Sequence, residues 1–176
     1  VKTSFVQKMC SSCAQVIGMH PLFGPMQDIR GQKVFYVPER INNTSLESVL
    51  DLFSEFDLIK KSAQDHDRLM GVIQNVSHFS EFVMGETLRR LGYDMKELME
   101  YSTASYKLKL EVMGRMFAQS GDLYANIATQ NKEGIAFSAV FTEVAHEYLG
   151  LVQGEDAVAL EREFDSISGY LGDCFC

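Results

Sequence analysis

The pattern of apolar and polar residues changes near Ala63. Before it, short apolar runs bounded by turns predict β-strands at 15–19, 33–37 and 58–62. Between the last two, residues 45–56 predict one amphipathic helix, with Ser45 as its N-cap. Strands alternating with a one-sided helix are typical of an α/β layer.

After Ala63 the apolar spacing is helical throughout. The longest helix is predicted from Asp65 to about Leu91, where Gly92 is a good stop. Its apolar stripe consists of Leu69, Ile73, Val76, Val83 and Leu91. Further helices are predicted at 95–101, 105–118, 122–131, 133–149 and 155–171. The last two are expected to pack as an antiparallel hairpin, and the number of apolar faces predicts burial in a two-fold dimer.

These patterns predict an α+β fold with a boundary at 62/63. Residues 1–62 are expected to be part of an α/β domain, and residues 63–176 an all-helical domain. Three strands and one helix cannot cover both faces of a sheet. The chain opens on Val1 without an initiator methionine. We therefore expect these residues to be the back part of a longer polypeptide.

Composition and charge restrict the partners and the location. The net charge of −8 and the scattered basic residues argue against nucleic-acid binding. No apolar run reaches the roughly 18 residues that span a bilayer, so no membrane is expected. The cysteines lie in Cys10-Ser-Ser-Cys13 and Cys174-Phe-Cys176. They are interpreted as reduced thiols of a cytoplasmic protein, without a metal site, and their role is left open.

The long helix carries a second, more polar stripe, at offsets of three and four residues. Its members are Gly71, Gln74, His78, Phe82 and Gly85. Each helical glycine costs about 1 kcal/mol relative to alanine, which a closely packed backbone or a ligand would explain. His78 is thus either a satisfied buried histidine with glycines for helix crossing, or a histidine that faces a binding crevice.

Arg115 is the second unusual polar residue, because its predicted helix is apolar on most sides. A partly buried guanidinium needs an anion. Glu111, one turn earlier, is one candidate, and a substrate carboxylate gripped by the planar fork is the other. Lys107, two turns away, would add positive charge to such a pocket.

Two other histidines have simpler interpretations. His66 lies between Asp65 and Asp67 in the first turn of the long helix, where helix capping is the expected role of the aspartates. His146 is expected to be a surface or dimer contact. His20 differs from both, because Pro21 forces it into an extended conformation at a stiff corner.

The corner His20-Pro21-Leu22-Phe23-Gly24-Pro25 resembles the His-Pro-Met-Phe-Gly-Pro signature of prephenate dehydrogenases, especially the bifunctional chorismate mutase–prephenate dehydrogenase type. Three other blocks resemble that family in the same order. They are Val1-Lys2-Thr3, the helix segment from Asp65-His66-Asp67 to His78-Phe79, and the stretch from Tyr106-Lys107-Leu108 to Leu123-Tyr124-Ala125. The resemblance covers most of the chain up to about Lys132.

The resemblance implies a Rossmann-type remnant followed by a helical dimerisation domain. It also implies oxidative decarboxylation of prephenate to 4-hydroxyphenylpyruvate, with hydride transfer to NAD or NADP, in tyrosine biosynthesis. By motif position, His20 would remove the ring-hydroxyl proton, which suits an imidazole near pH 7. Arg115 would bind a carboxylate, and His78 would line the substrate pocket. Gln74 and Tyr124 match positions near that pocket.

The chain departs from the family at several positions. Lys107 stands where close relatives have arginine, Met26 replaces an aspartate, and the serine before Val-Lys would fall ahead of Val1. No Gly-x-Gly-x-x-Gly occurs, so this chain alone is not expected to bind the cofactor. Alternatives are an arogenate dehydrogenase, or a catalytically silent dimerisation or regulatory module that binds tyrosine as an effector.

Overall fold

The computed structural model describes residues 3–11, 15–24 and 28–172. Within them the fold is mostly helical with one small sheet, which confirms the predicted α+β class. The chain forms two compact units, one up to Ile135 and one from Ala136. The boundary predicted at 62/63 marks a change of secondary structure and remains a prediction as a domain boundary.

The sheet has three strands in the order β1-β2-β3. They are β1 (Val16–Pro21), β2 (Lys33–Arg40) and β3 (Asp57–Lys60). β1 runs antiparallel to β2, with His20 opposite Phe35, and β3 runs parallel to β2. The central strand carries the buried side chains Val34, Phe35 and Val37.

Two helices belong to this part of the chain. Helix α1 (Thr3–Cys10) was not predicted, and Val6 is its buried apolar residue. Helix α2 (Asn43–Leu52) begins earlier than predicted, because Asn42 rather than Ser45 is the N-cap. The Asn42 side chain accepts a hydrogen bond from the Ser45 amide at 2.8 Å, which satisfies a free donor of the first turn.

The predicted long helix is in fact three segments. Helix α3 (Ala63–Met70) leads into a π-helical segment (Gly71–Val76), and α4 (Ser77–Leu91) follows. The end was correctly predicted: Gly92 adopts a φ of 74°, which glycine tolerates without strain. A π segment adds a residue to the helical turn and is frequently found at functional sites.

The remaining helices lie within a few residues of their predicted bounds. They are α5 (Met95–Tyr101), α6 (Ala104–Phe117), α7 (Gly121–Gln130), α8 (Lys132–Gln153) and α9 (Ala157–Leu171). α4 and α6 share an apolar core of Leu88, Leu110 and Met113. This core holds together the helices that carry the candidate site.

The second compact unit consists of most of α8 together with α9. The two facing apolar rows predicted for a hairpin do not bury each other: Val144 is 54 %, Tyr148 59 %, Phe164 72 % and Ile167 57 % exposed. The predicted hairpin packing was therefore wrong for the single chain. α8 has 22 residues and, over 18 of them, a mean hydropathy of 1.2, which by length and composition would suffice to cross a membrane.

Candidate functional site

His20 is the second-last residue of β1, which ends at Pro21. It pairs with Phe35 of β2, so its backbone is extended as predicted. Its side chain is half-buried. A histidine at a strand end followed by a proline corner is held by the sheet while its ring stays accessible to a cleft.

His66 is the partner that the sequence interpretation missed. Nδ1 of His20 lies 2.8 Å from Nε2 of His66, and Nδ1 of His66 lies 2.9 Å from Oδ1 of Asp67. His66 is only 2 % exposed and packs edge-on against the Phe35 ring. The sequence interpretation assigned capping to the neighbouring aspartates and predicted no contact between His66 and His20.

The first turn of α3 explains this orientation. Ser62 is the N-cap, and its hydroxyl accepts a hydrogen bond from the Asp65 amide at 3.0 Å. Asp65 thus has the capping role that was expected. Ala63, His66 and Met70 form the buried face of α3. Their spacing of three and four residues was a signal in the sequence that His66 points inward.

Asp67 is fixed from a second side by the N-terminal helix. The Thr3 amide donates a hydrogen bond to Asp67 Oδ2 at 2.8 Å. The two carboxylate oxygens therefore have different donors, the Thr3 amide and the His66 ring. Asp67, His66 and His20 form a continuous hydrogen-bonded chain that ends in the cleft.

Burial makes these histidines neutral at physiological pH. It is the largest cause that lowers the pKa of His20 to about 4, and the neighbouring His66 lowers it further. Burial also lowers the pKa of His66, against the raising effect of its hydrogen bond to Asp67. A neutral imidazole retains one nitrogen lone pair that can accept a proton.

Two buried asparagines connect α7 with the long helical stretch, Asn75 from the π segment to α7 and Asn131, at the end of α7, to α3. Asn75 donates from Nδ2 to the Ile127 carbonyl at 3.0 Å. Asn131, 6 % exposed, donates from Nδ2 to the Asp67 carbonyl at 2.8 Å. Neither residue was singled out from the sequence, because an asparagine in a helix gives no periodic signal.

His78 and Tyr124 face each other from α4 and α7. Their ring centroids are 4.7 Å apart at an interplanar angle of 69°. Burial lowers the pKa of His78. Its Nδ1 is buried and has no hydrogen-bond partner among the described residues. A buried nitrogen without a partner is uncommon in a folded protein.

The histidines and the amide side chains surround a cleft of about 490 Å³, a volume suited to a small organic molecule. Its lining includes three of the predicted site residues besides His20, namely Gln74, His78 and Tyr124. The other polar lining residues are His66, Asp67, Asn75, Gln119, Asn126 and Asn131. A cleft is thus present beside His78, and its use in binding stays a prediction.

The exposure of Arg115 differs from what the sequence predicted. The residue is exposed rather than partly buried, because α6 turns Leu110, Met113 and Met116 inward. One guanidinium nitrogen, Nη2, lies 3.5 Å from the position that a Cβ on Gly24 would take. Since Gly24 lines the cleft, Arg115 is placed next to its rim.

Of the two partners predicted for Arg115, Glu111 and a substrate carboxylate, the first makes no ion pair with it among the described residues. Lys107 is exposed and does not line the cleft. Arg115 is therefore a free cation beside the cleft, and Lys107 is not brought to it.

The glycines of the polar stripe can be interpreted separately. A Cβ on Gly85 would lie 2.9 Å from Cε2 of Phe117. Gly85 thus accommodates an aromatic side chain of α6, rather than a ligand. Gly71 is buried in the π segment that borders the cleft.

Of the four cysteines, Cys10 lies within the described residues, and it does not line the cleft. Cys10 is a free, half-buried thiol at the end of α1. Cys13, Cys174 and Cys176 lie outside the described residues, as do Val1, Lys2, Pro25 and Met26 of the family blocks.

A half-buried and a buried histidine, in hydrogen-bond contact, thus border a cleft in a chain that is mostly helical. The chain belongs to the prephenate dehydrogenase family, because residues 62–165 match the family model described as "Prephenate dehydrogenase, dimerization domain". The match includes His66, His78 and Arg115, and it ends within α9.

Curated relatives agree with this assignment. The chain is 28 % identical over 160 residues to the T-protein of Enterobacter agglomerans, covering 90 % of this chain and 43 % of that protein. It is 30 % identical over 146 residues to a probable arogenate/prephenate dehydrogenase of Methanocaldococcus jannaschii, covering 80 % and 33 %. The chain thus spans less than half the length of either relative.

Solved structures share the fold. Prephenate dehydrogenase from A. aeolicus, in complex with hydroxyphenyl propionate and NAD+, superimposes with a TM-score of 0.73 at 19 % identity, covering 95 % of this chain and 62 % of that one. Synechocystis arogenate dehydrogenase gives a TM-score of 0.68 at 17 % identity, covering 96 % and 65 %. These likenesses support an α/β remnant followed by a helical domain.

Proposed function

We propose that this chain is the substrate-binding and dimerisation part of a prephenate dehydrogenase. The reaction is oxidative decarboxylation of prephenate to 4-hydroxyphenylpyruvate in tyrosine biosynthesis, with the hydride accepted by NAD or NADP. The observation that carries the proposal is a neutral His20, held by His66 at the edge of a cleft, in a chain of this family.

In this proposal His20 is the general base. A pKa of about 4 keeps its imidazole neutral near pH 7, so the ring is ready to take the proton of a substrate hydroxyl. Proton removal at that hydroxyl assists the departure of hydride from the same carbon. Because His66 contacts Nδ1 of His20, Nε2 is the nitrogen available to the substrate.

Substrate binding is assigned to the residues around the base. His78, Gln74 and Tyr124 line the same cleft as His20. Arg115, at the rim, is the cation placed to bind a carboxylate of prephenate. Lys107 contributes at most long-range positive charge, since it is exposed and lies away from the cleft lining.

The residues of this chain do not fit the pyrophosphate of a dinucleotide. The turns from β2 to α2 and from β3 to α3, residues 41–42 and 61–62, contain no glycine. A close approach of backbone to pyrophosphate needs glycines at such a turn. We therefore assign no cofactor contact to this chain, and infer that a dinucleotide-binding half is supplied by other residues of the protein.

We further infer a cytoplasmic homodimer that buries the apolar faces of α8 and α9. Residues 62–165 match a dimerization domain, and Val144, Phe164 and Ile167 are each more than half exposed in one chain. Glu143, His146 and Glu147 interrupt the apolar surface of α8. A protein partner tolerates these polar groups more readily than the interior of a bilayer does.

The test uses the polypeptide encoded by the complete reading frame that contains this chain. Prephenate is supplied with NAD or with NADP, and reduced nicotinamide is followed by absorbance. We expect reduction with one of the two cofactors, and a loss of about 100-fold or more in His20→Asn. His146→Asn, at an exposed histidine of α8, is the matched control. Absence of reduction with both cofactors would refute the proposal.

Two alternatives have observations in their favour. One relative is named a probable arogenate/prephenate dehydrogenase, so arogenate is compared with prephenate by kcat/KM. The lack of a glycine-rich turn favours a catalytically silent dimerisation or regulatory module. That module would dimerise without turning over either substrate, and tyrosine binding by calorimetry would test it as an effector site.

A further inference from the structure

The hydrogen-bonded chain from Asp67 through His66 to His20 has a fixed direction. An ionised carboxylate only accepts hydrogen bonds. Asp67 therefore accepts from His66, and Nδ1 of His66 must carry the hydrogen. In the neutral ring this leaves Nε2 of His66 with the lone pair. Nδ1 of His20, 2.8 Å from that lone pair, must then be the donor.

We propose that His66, oriented by Asp67, is a positioning residue that holds His20 in the tautomer with hydrogen on Nδ1, so that the lone pair of Nε2 faces the cleft. The inference rests on the proposed function, because it concerns how the base is prepared. His66 needs no contact with substrate for this role. Free neutral imidazole side chains prefer the opposite tautomer, with hydrogen on Nε2, so the buried chain must overcome that preference.

The same geometry stabilises the base after it has reacted. When Nε2 of His20 takes a proton from a substrate hydroxyl, the ring becomes a cation with hydrogen on both nitrogens. Its Nδ1 hydrogen still donates to His66. Because the Asp67 carboxylate bonds the other side of His66, it offsets the new positive charge across one neutral ring. A carboxylate that accepts a hydrogen bond from one ring nitrogen of a histidine fixes the orientation and the tautomer of that ring.

The Thr3 amide makes Asp67→Asn an unusually clear test. That amide donates to Oδ2 of Asp67, so the oxygen of an asparagine side chain would remain there as the acceptor. The asparagine NH₂ group would then face Nδ1 of His66 and donate to it. This reverses both tautomers, since His66 would carry its hydrogen on Nε2 and donate to Nδ1 of His20.

The primary measurement is the ring-nitrogen NMR spectrum of the ¹⁵N-histidine-labelled complete protein at neutral pH, which distinguishes a protonated nitrogen from one with a lone pair. The signals of the four histidines of this chain are assigned through single His→Gln variants. We expect hydrogen on Nδ1 of His20 in the unaltered chain and on Nε2 in Asp67→Asn. The control Asp65→Asn, in the same helical turn, should keep the original tautomer.

A second variant removes the acceptor without adding a donor. His66→Phe retains a ring beside Phe35 and should return His20 to the tautomer with hydrogen on Nε2. Circular dichroism of each variant checks that the helices are intact. A His20 ring that carries hydrogen on Nε2 in the unaltered chain would overturn the inference by itself, whether or not the variants fold.

Turnover separates this inference from the proposed function. In the complete protein, Asp67→Asn should lower kcat by about 10²–10⁴-fold. The KM for prephenate should change little, since the two carboxylate oxygens of Asp67 are bonded to the Thr3 amide and the His66 ring. If NMR shows the expected tautomer of His20 but the unaltered protein does not turn over prephenate, only the proposed function is refuted. An unchanged kcat in a variant with the reversed tautomer would refute the positioning role.

Discussion

The side chain of Asn75 occupies the space that a Cβ on Gly134 would need. Three atoms of Asn75 would lie within 3 Å of such a carbon, a distance that packed side chains do not adopt. Asn75 is itself held by its hydrogen bond to the Ile127 carbonyl. The first turn of α8 is therefore closely packed on the π segment that borders the cleft.

Gly134→Ala should destabilise the protein by about 1–3 kcal/mol. Asn75 must move to make room, and this overpacking also strains or breaks its buried hydrogen bond. The free energy of unfolding is measured with urea at a fixed protein concentration. Gly114→Ala is the control, because nothing lies within 4 Å of the new Cβ in α6. There alanine should be neutral or stabilising by up to about 1 kcal/mol. Equal effects at the two glycines would contradict the packing argument.

The free energy of unfolding should decrease as the pH falls, partly because of His20. Its pKa is about 4 in the folded chain and about 6.5 in an unfolded one. The unfolded state therefore binds the proton first, and stability is lost as the pH falls from about 6.5 to about 4. The thermal midpoint, measured over this range, should decline less steeply in His20→Asn. Parallel declines would show that His20 is not desolvated as the structure indicates.

Arg115→Gln should raise the KM for prephenate by about 10-fold or more, because a charge-assisted hydrogen bond to a carboxylate contributes about 1.5–3 kcal/mol. The kcat should change less, since Arg115 lies at the rim and not beside His20. Lys109→Gln, an exposed cation on the same helix, is the matched control for net charge. Similar KM values for both variants would remove Arg115 from the binding site.

Phe164→Glu should shift the protein from dimer to monomer. Phe164 is 72 % exposed in one chain, and an unpaired carboxylate is costly in an apolar interface. Light scattering after size-exclusion chromatography gives the mass. Ser166→Glu adds the same charge to the same helix at an exposed position, about 200° around the helix from Phe164. A dimer that survives Phe164→Glu unchanged would place the interface elsewhere.

The sequence predicted most helices and all three strands because their apolar spacing is regular. It also predicted that His20, Gln74, His78 and Tyr124 border a common cleft, although the motif resemblance was needed for His20 and Tyr124. It did not predict the contact between His66 and His20 of β1, because the two residues are 46 positions apart in the chain. The exposure of Arg115 was also missed, because the apolar residues of α6 are not all turned inward.

The π segment also sets how the two ends of the predicted long helix face each other. An uninterrupted α-helix advances about 100° per residue, so the 12 positions from His66 to His78 would place the two rings about 120° apart. One extra residue taken up by the wide turns removes about 100° of that difference, which brings both rings to one side. Deleting a single residue from Gly71–Val76 would leave 11 positions between the histidines, and regular α-helical winding over them would again place the rings about 20° apart. The 12-position spacing of His66 and His78 is thus matched to the π segment between them. With that spacing and no π segment, or with the π segment and a shorter spacing, only one of the two rings would face the cleft.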